Sequence, residues 1–284
     1  MSIGNALLTF SATGTLQTYV VPATGRYAIE ASGAQGGVGG GPGGKGARVR
    51  GAFDLEAGYC LQILVGMQGT VGFSSHQPAG GGGGGSFVWL GSVFGPLPPM
   101  PLLVAGGGGG GNGGDGTITP DAGPGAMPGG KNGHGGSADP VEFHFSGGGG
   151  TGWLSSGVGG SAPTYCGGGS HWRGGLGADY CGNYGGNGGF GGGGGGAFLG
   201  YGSGGGGGFS GGGGGTQTGP GGGGGGSYNT GRDATNTPGV QTGHGSVSIL
   251  GVAAAIPQPA LGGNDRGTAT PECSLEVYGR FFGD

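Results

Sequence analysis

Runs of glycine constrain this chain more than any other feature. Residues 80–85, 106–111, 147–150, 191–196, 204–208, 211–215 and 221–226 are uninterrupted glycine, with weaker blocks around 36–44, 167–169 and 185–189. No side chain in these blocks can do chemistry, so function has to sit in the connecting loops or in the shape of the whole. With 95 glycines and 17 prolines in 284 residues, composition alone reads as low-complexity chain. If the blocks are ordered, the options are few. Glycine in a helix or a conventional strand is penalised by backbone entropy and offers nothing to pack. The remaining solution is an extended polyproline-II-like helix, with three residues per turn and no internal hydrogen bonds. Glycine lets several of these lie so close that N–H and Cα–H groups of one reach carbonyls of the next.

Collagen fails as a template because stretches such as GGFGGGGGGAFLGYGSGGGGGFS have no Gly-X-Y triplet. A block of five or six residues spans roughly 15–19 Å at about 3.1 Å per residue, and about ten such segments are expected, antiparallel or mixed. Ordering one residue costs about 1–2 kcal/mol, whereas a hydrogen bond returns about 0.5–1.5 kcal/mol net. Such a lattice therefore needs an apolar foundation.

The first third of the chain supplies one. ALLTF, LQTYVVP, GRYAIEASG, GARVRGAFDLEAG and YCLQILVG are short runs with partial period-two alternation, separated by turn residues. Tyr27, Ile29 and Ala31 share a face; so do Ala47, Val49, Phe53 and Leu55, with Arg48, Arg50 and Asp54 pointing away; Leu61, Ile63 and Val65 continue the pattern. This predicts an antiparallel sheet buried on one side. SFVWL and PLLVA read as further strands, the second running straight into glycine, and HGSVSIL, with Val247 and Ile249, closes the glycine region. The expected fold is all-β, an antiparallel β-sandwich with an inserted glycine bundle. Its divisions are 1–105 (sandwich strands and first glycine block), 106–243 (glycine bundle with aromatic loops), 244–251 (closing strand) and 252–284 (linker and C-terminal segment). In that last piece Val277, Tyr278, Phe281 and Phe282 read either as a final strand or as a docking peptide that adds to a partner's sheet edge.

Charge excludes some partners. At 8% charged residues and a net charge of −4, the chain has no basic stripe for nucleic acid and no basic amphipathic segment for a membrane surface. Membrane insertion is not expected, since no run approaches a spanning length. The start, MSIGNALLTFSATG, lacks a basic n-region and an uninterrupted apolar core, so synthesis in a cytoplasm and delivery within a larger particle are expected. Cys60 reads as a small core residue. Cys166 and Cys181, with His171 between them, leave zinc, a disulfide or free thiols open, though no CxxC or HxxxH spacing supports metal. No metal or cofactor is expected.

Enzyme templates find little. GGKGAR lacks the spacing of a phosphate loop, and His76, His134, His144, His171 and His244 have no nucleophile at recognisable spacing. Aromatics are the better signal. Trp153, Tyr165, His171, Trp172, Arg173, Tyr180, Tyr184 and Phe190 cluster where glycine segments are joined. Loops on a rigid scaffold are where recognition usually resides, and Tyr and Trp give contact area at low entropy cost. The bland alternative is that some of these rings cap or cover the lattice.

GRYAIEASGAQGG, GKGARVRGAFDLEAGYCLQILVGMQG, GGGGGGSFVW, PLLVAGGGGG and the closing GHGSVSIL, in that order, resemble the extracellular glycine-rich region of the anaplastic lymphoma kinase and leukocyte tyrosine kinase family over about residues 6–250. The resemblance implies a jelly roll like that of tumour necrosis factor carrying polyglycine-II helices. The lattice also resembles the tip adhesins of some phage long tail fibres. With no kinase domain or membrane span in the chain, receptor signalling does not carry over. The expectation is a non-enzymatic recognition protein of a virion, a phage-tail or capsid-surface adhesin, whose target is a cell-surface glycan or outer-membrane protein. Its other partners would be neighbouring virion or fibre subunits, copies of itself included. The alternative is a fibril subunit or capsid decoration with no ligand of its own. Ice binding is disfavoured by the scattered threonines.

Overall fold

The computed structural model describes residues 7–72, 78–91, 100–139, 146–160, 185–197, 202–216, 219 and 221–252. Two five-stranded antiparallel sheets face each other as a sandwich, and no helix occurs among the described residues. The first sheet runs in the order β1 (Leu7–Ser11), β10 (Ser246–Val252), β3 (Gly25–Ser32), β4 (Gly46–Leu55), β9 (Arg232–Gln241). The second runs β2 (Gln17–Val20), β5 (Cys60–Leu64), β6 (Ser86–Leu90), β7 (Leu103–Ala105), β8 (Tyr228–Asn229). The closing strand sits in the interior of the first sheet, with Ile249 opposite both Leu8 and Ile29. That sheet is complete only once the chain has returned from the glycine region.

Alternation places the core as the sequence predicts. Tyr27, Ile29 and Ala31 of β3, Val49, Phe53 and Leu55 of β4, and Val247 and Ile249 of β10 meet Leu61, Ile63, Val88, Leu103 and Ala105 from the second sheet. The second sheet is apolar on its other face as well. Leu64, Phe87, Trp89 and Val104 point away from the first sheet into a second cluster with Trp153 and Phe209. A sheet covered on both faces reads as continuous hydrophobic sequence, which is why CLQIL and SFVWL look so uniform.

β9 was not foreseen; its sequence, RDATNTPGVQ, is polar and falls inside the span assigned to the glycine bundle. It is an edge strand paired with β4 through two register shifts and exposed along most of its length. Such edges tolerate Pro238, which a central strand would not.

Several strands run directly into glycine segments, β3 at Gly33 and β7 at Gly106, while residues 80–85 lead into β6. In these segments hydrogen bonding repeats every third residue. The amides of Gly204 and Gly207 donate to the carbonyls of Gly80 and Gly83, those of Gly205 and Gly208 to Gly148 and Thr151, and those of Gly206 and Phe209 to Gly223 and Gly226. Both numbers rise together, so these three neighbours are parallel. On the acceptor side, the carbonyls of Gly204 and Gly207 receive the amides of Gly110 and Gly107, those of Gly205 and Gly202 the amides of Gly194 and Ala197, and those of Gly206 and Ser203 the amides of Gly212 and Gly215. Here the numbers run oppositely, so these three are antiparallel. One segment is thus bonded to neighbours on all sides and is wholly buried. A Cβ placed on Gly205, Gly206 or Gly207 would lie under 3.0 Å from the carbonyl of Gly212, Gly107 or Gly191 respectively, and backbone cannot move aside.

Serines stitch the lattice to the sheets. Ser86 Oγ, fully buried, donates to the Ser32 carbonyl (2.7 Å) and accepts the Gly66 amide (3.0 Å). Ser227 Oγ likewise accepts the Gly106 amide (3.0 Å) and donates to the Thr117 carbonyl. Where β-ladder pairing stops and three-residue bonding begins, these hydroxyls satisfy N–H groups that would otherwise be buried unpaired.

Candidate functional site

Two glycine segments that do not prolong a strand end in aromatic residues. Residues 146–152 lead to Trp153, and residues 202–208 lead to Phe209; the two ends are tied by the Trp153 amide bonding the Phe209 carbonyl at 2.8 Å. Trp153 is 1% exposed. Its ring stacks on Phe87 (centroids 6.0 Å apart, planes at 27°) and meets Trp89 edge-on (5.8 Å, 74°). Phe209 stacks on Tyr228 at 4.4 Å. Phe190 is half-buried against the same cluster, just before Gly191 and Gly192, whose positive φ values reverse the chain.

This corrects the expectation for Trp153. It is not a ring displayed to a target but part of the apolar floor on which the lattice rests. Phe190 lends part of its ring to the same floor. The TGWLSSG sequence around Trp153 carries no periodicity from which burial is legible. Tyr165, His171, Trp172, Arg173, Tyr180 and Tyr184 lie outside the described residues, as do Val277, Tyr278, Phe281 and Phe282. The span 161–184 joins two described segments, 146–160 and 185–197.

Cys60 is buried, as its reading as a small core residue requires, and it is also disulfide-bonded. Cys166, Cys181 and Cys273 lie outside the described residues. Among the described residues no cluster of three or more His, Cys, Asp or Glu side chains is placed to hold a metal ion. No described helix is long and apolar enough to cross a membrane.

The described histidines have structural partners. His244 Nδ1 accepts the Gln68 amide at 3.0 Å, pinning the turn before β10 to the segment after β5. His134 Nδ1 lies 3.4 Å from Ser155 Oγ, which itself accepts the Gly135 amide at 3.0 Å. No carboxylate bonds this imidazole among the described residues, so the third group of a nucleophile–base–orienter arrangement is missing there.

On the outer face of the first sheet Arg26 pairs with Asp54 (3.1 Å), Arg232 pairs with the same carboxylate (3.1 Å), and Arg48 approaches Glu30 (3.8 Å). These pairs are largely solvent-exposed and contribute little each. Compared with protein-family models and with curated proteins, the chain matches none.

Proposed function

We propose that this chain is a non-enzymatic recognition protein: a jelly roll of the tumour-necrosis-factor type carrying a bundle of polyglycine-II helices, which holds its connecting loops rigidly against a cell-surface target. The observation that carries this reading is the three-residue hydrogen-bond repeat around residues 204–209, the spacing of a polyglycine-II helix surrounded by others. Stabilising such a lattice requires nearly every buried residue in it to be glycine, so variable chemistry is confined to the connections. The connection at 161–184 is the richest in Trp, Tyr, His and Arg, residue types suited to glycan or protein contact.

The likeness to phage tail-fibre tips favours a virion surface as the location, and a disulfide at Cys60 is compatible with exposure to an oxidising exterior. Imaging of the native particle tests the reading. A distal position with residues 161–184 facing outward is expected, and Trp172→Ala with Tyr184→Ala should abolish attachment to target cells without altering the melting temperature. Loops buried between identical copies would overturn it.

One observation favours the second reading, a fibril or lattice subunit. Leu7 and Leu8 are 63% and 43% exposed on β1, the edge strand among the described residues, and a strand edge with exposed leucines is a template for adding another chain. Under that reading the chain self-associates in solution, and Leu8→Lys disperses it.

A further inference from the structure

On the outer face of the first sheet, away from the glycine lattice, a cavity of about 310 Å³ is lined by Arg26, Ala28, Arg50, Ala52, Asp233 and Thr235. The floor is low because Ala28 and Ala52 stand directly opposite each other on β3 and β4. One wall is Arg50, opposite Thr235 on β9. The other results from the register shift between Arg50 and Ala52, where Asp233 takes a positive φ of 52°. A bulge at a strand edge re-aims a side chain, and left-handed backbone at a residue other than glycine is strain of the kind that collects at functional sites.

The charges around the cavity are mostly spoken for. Asp54 is held by Arg26 and Arg232, and Glu30, which stands directly opposite Arg50 on β3, is approached by Arg48 at 3.8 Å. Arg50 and Asp233 are not: among the described residues neither side chain makes an ion pair, though they line the same trough. A guanidinium fork and a carboxylate that do not neutralise each other, with a hydroxyl beside them and two methyl groups beneath, are complementary to a ring that is apolar on its face and bears both a carboxylate and hydroxyls.

We propose that this trough binds a carboxylate-bearing sugar. Arg50 takes the sugar carboxylate through two N–H groups, as guanidinium geometry allows. Asp233 and Thr235 accept and exchange hydrogen bonds with ring hydroxyls, and the Ala28 and Ala52 methyls support the ring. The volume sits at the low end of the roughly 300–1,000 Å³ typical of small-ligand sites, which suits one or two sugar units. The site is independent of the 161–184 loops, so it stands or falls apart from the reading above.

Saturation-transfer NMR on the full chain with sodium glucuronate, glucose and acetate tests it. Glucuronate is expected to bind with a dissociation constant of about 1 mM, an affinity fitting an open site. Glucose and acetate, each lacking half of the recognised groups, should bind at least about tenfold more weakly. Arg50→Gln and Asp233→Asn should each weaken glucuronate similarly at an unchanged melting temperature. Ala52→Leu, which fills the floor without altering charge, should abolish binding. Absence of transfer to glucuronate, equal binding of the three probes, or affinity unmoved by Arg50→Gln and Ala52→Leu would overturn the proposal.

Discussion

The ring of Trp153 lies stacked on that of Phe87, centroid to centroid at 6.0 Å, so the end of a glycine segment is fastened to the outward face of strand β6. Hydrogen bonds alone do not repay the ordering of so much glycine, and this contact joins the lattice to a foundation that can. Trp153→Ala should therefore destabilise the whole protein by about 3–5 kcal/mol, the usual range for emptying a buried tryptophan site. Trp153→Phe should lose clearly less. Denaturant melts followed by circular dichroism check both, and a loss below about 1 kcal/mol for the alanine variant would place the ring outside the core.

Position within the lattice should decide what a single methyl group does. Gly206 has the Gly107 carbonyl where a Cβ would go, and Gly223 has that of Gly123, whereas the nearest atom to a Cβ on Gly114 is the Gly224 nitrogen at 3.4 Å. Gly206→Ala or Gly223→Ala should prevent folding or lower the melting temperature severely. Gly114→Ala should be tolerated within about 1 kcal/mol, since the residue gained also restricts the unfolded chain. Equal effects at the three positions would argue against close backbone packing.

Ser86 is where ladder and lattice meet. Ser86→Ala leaves the Gly66 amide without its hydroxyl acceptor in a buried setting, at an expected cost of about 1–3 kcal/mol. Faster hydrogen exchange at Gly66 in the variant, with β4 amides unchanged, would locate the effect at that junction.

Alkaline pH provides a further handle. Burial, and secondarily the neighbouring Tyr27, raises the pKa of Tyr19 above 10.0. A folded-state pKa above the unfolded one means the associated stability is fully present below pH 10 and is lost as pH rises through the folded value. Melting temperature should hold up to about pH 10 and fall beyond it, with a shallower fall in Tyr19→Phe.

Much of the sandwich is legible in the sequence because alternation reports which face is buried. Tyr27, Ile29 and Ala31, then Val49, Phe53 and Leu55, are inward as their spacing requires. β9 escapes the same reading because an exposed edge strand has no face to hide, and its pairing with β4 is decided by backbone. Trp153 escapes it for a different reason. Its neighbours Gly152 and Leu154 set no alternation, Leu154 being exposed, and its burial follows from where a distant segment comes to rest over Phe87 and Trp89. That Arg50 and Asp233 line one trough is likewise invisible in sequence, since it depends on a bulge bringing together residues far apart in the chain.

Native-state hydrogen exchange of the glycine amides tests the central claim most directly. If residues 204–208 donate to three parallel neighbours as described, their amides should exchange only on global unfolding, with protection within about tenfold of the β3 amides. Exchange of these glycines at the rate of an unstructured chain, while β3 stays protected, would contradict the lattice and with it the scaffold on which the functional reading depends.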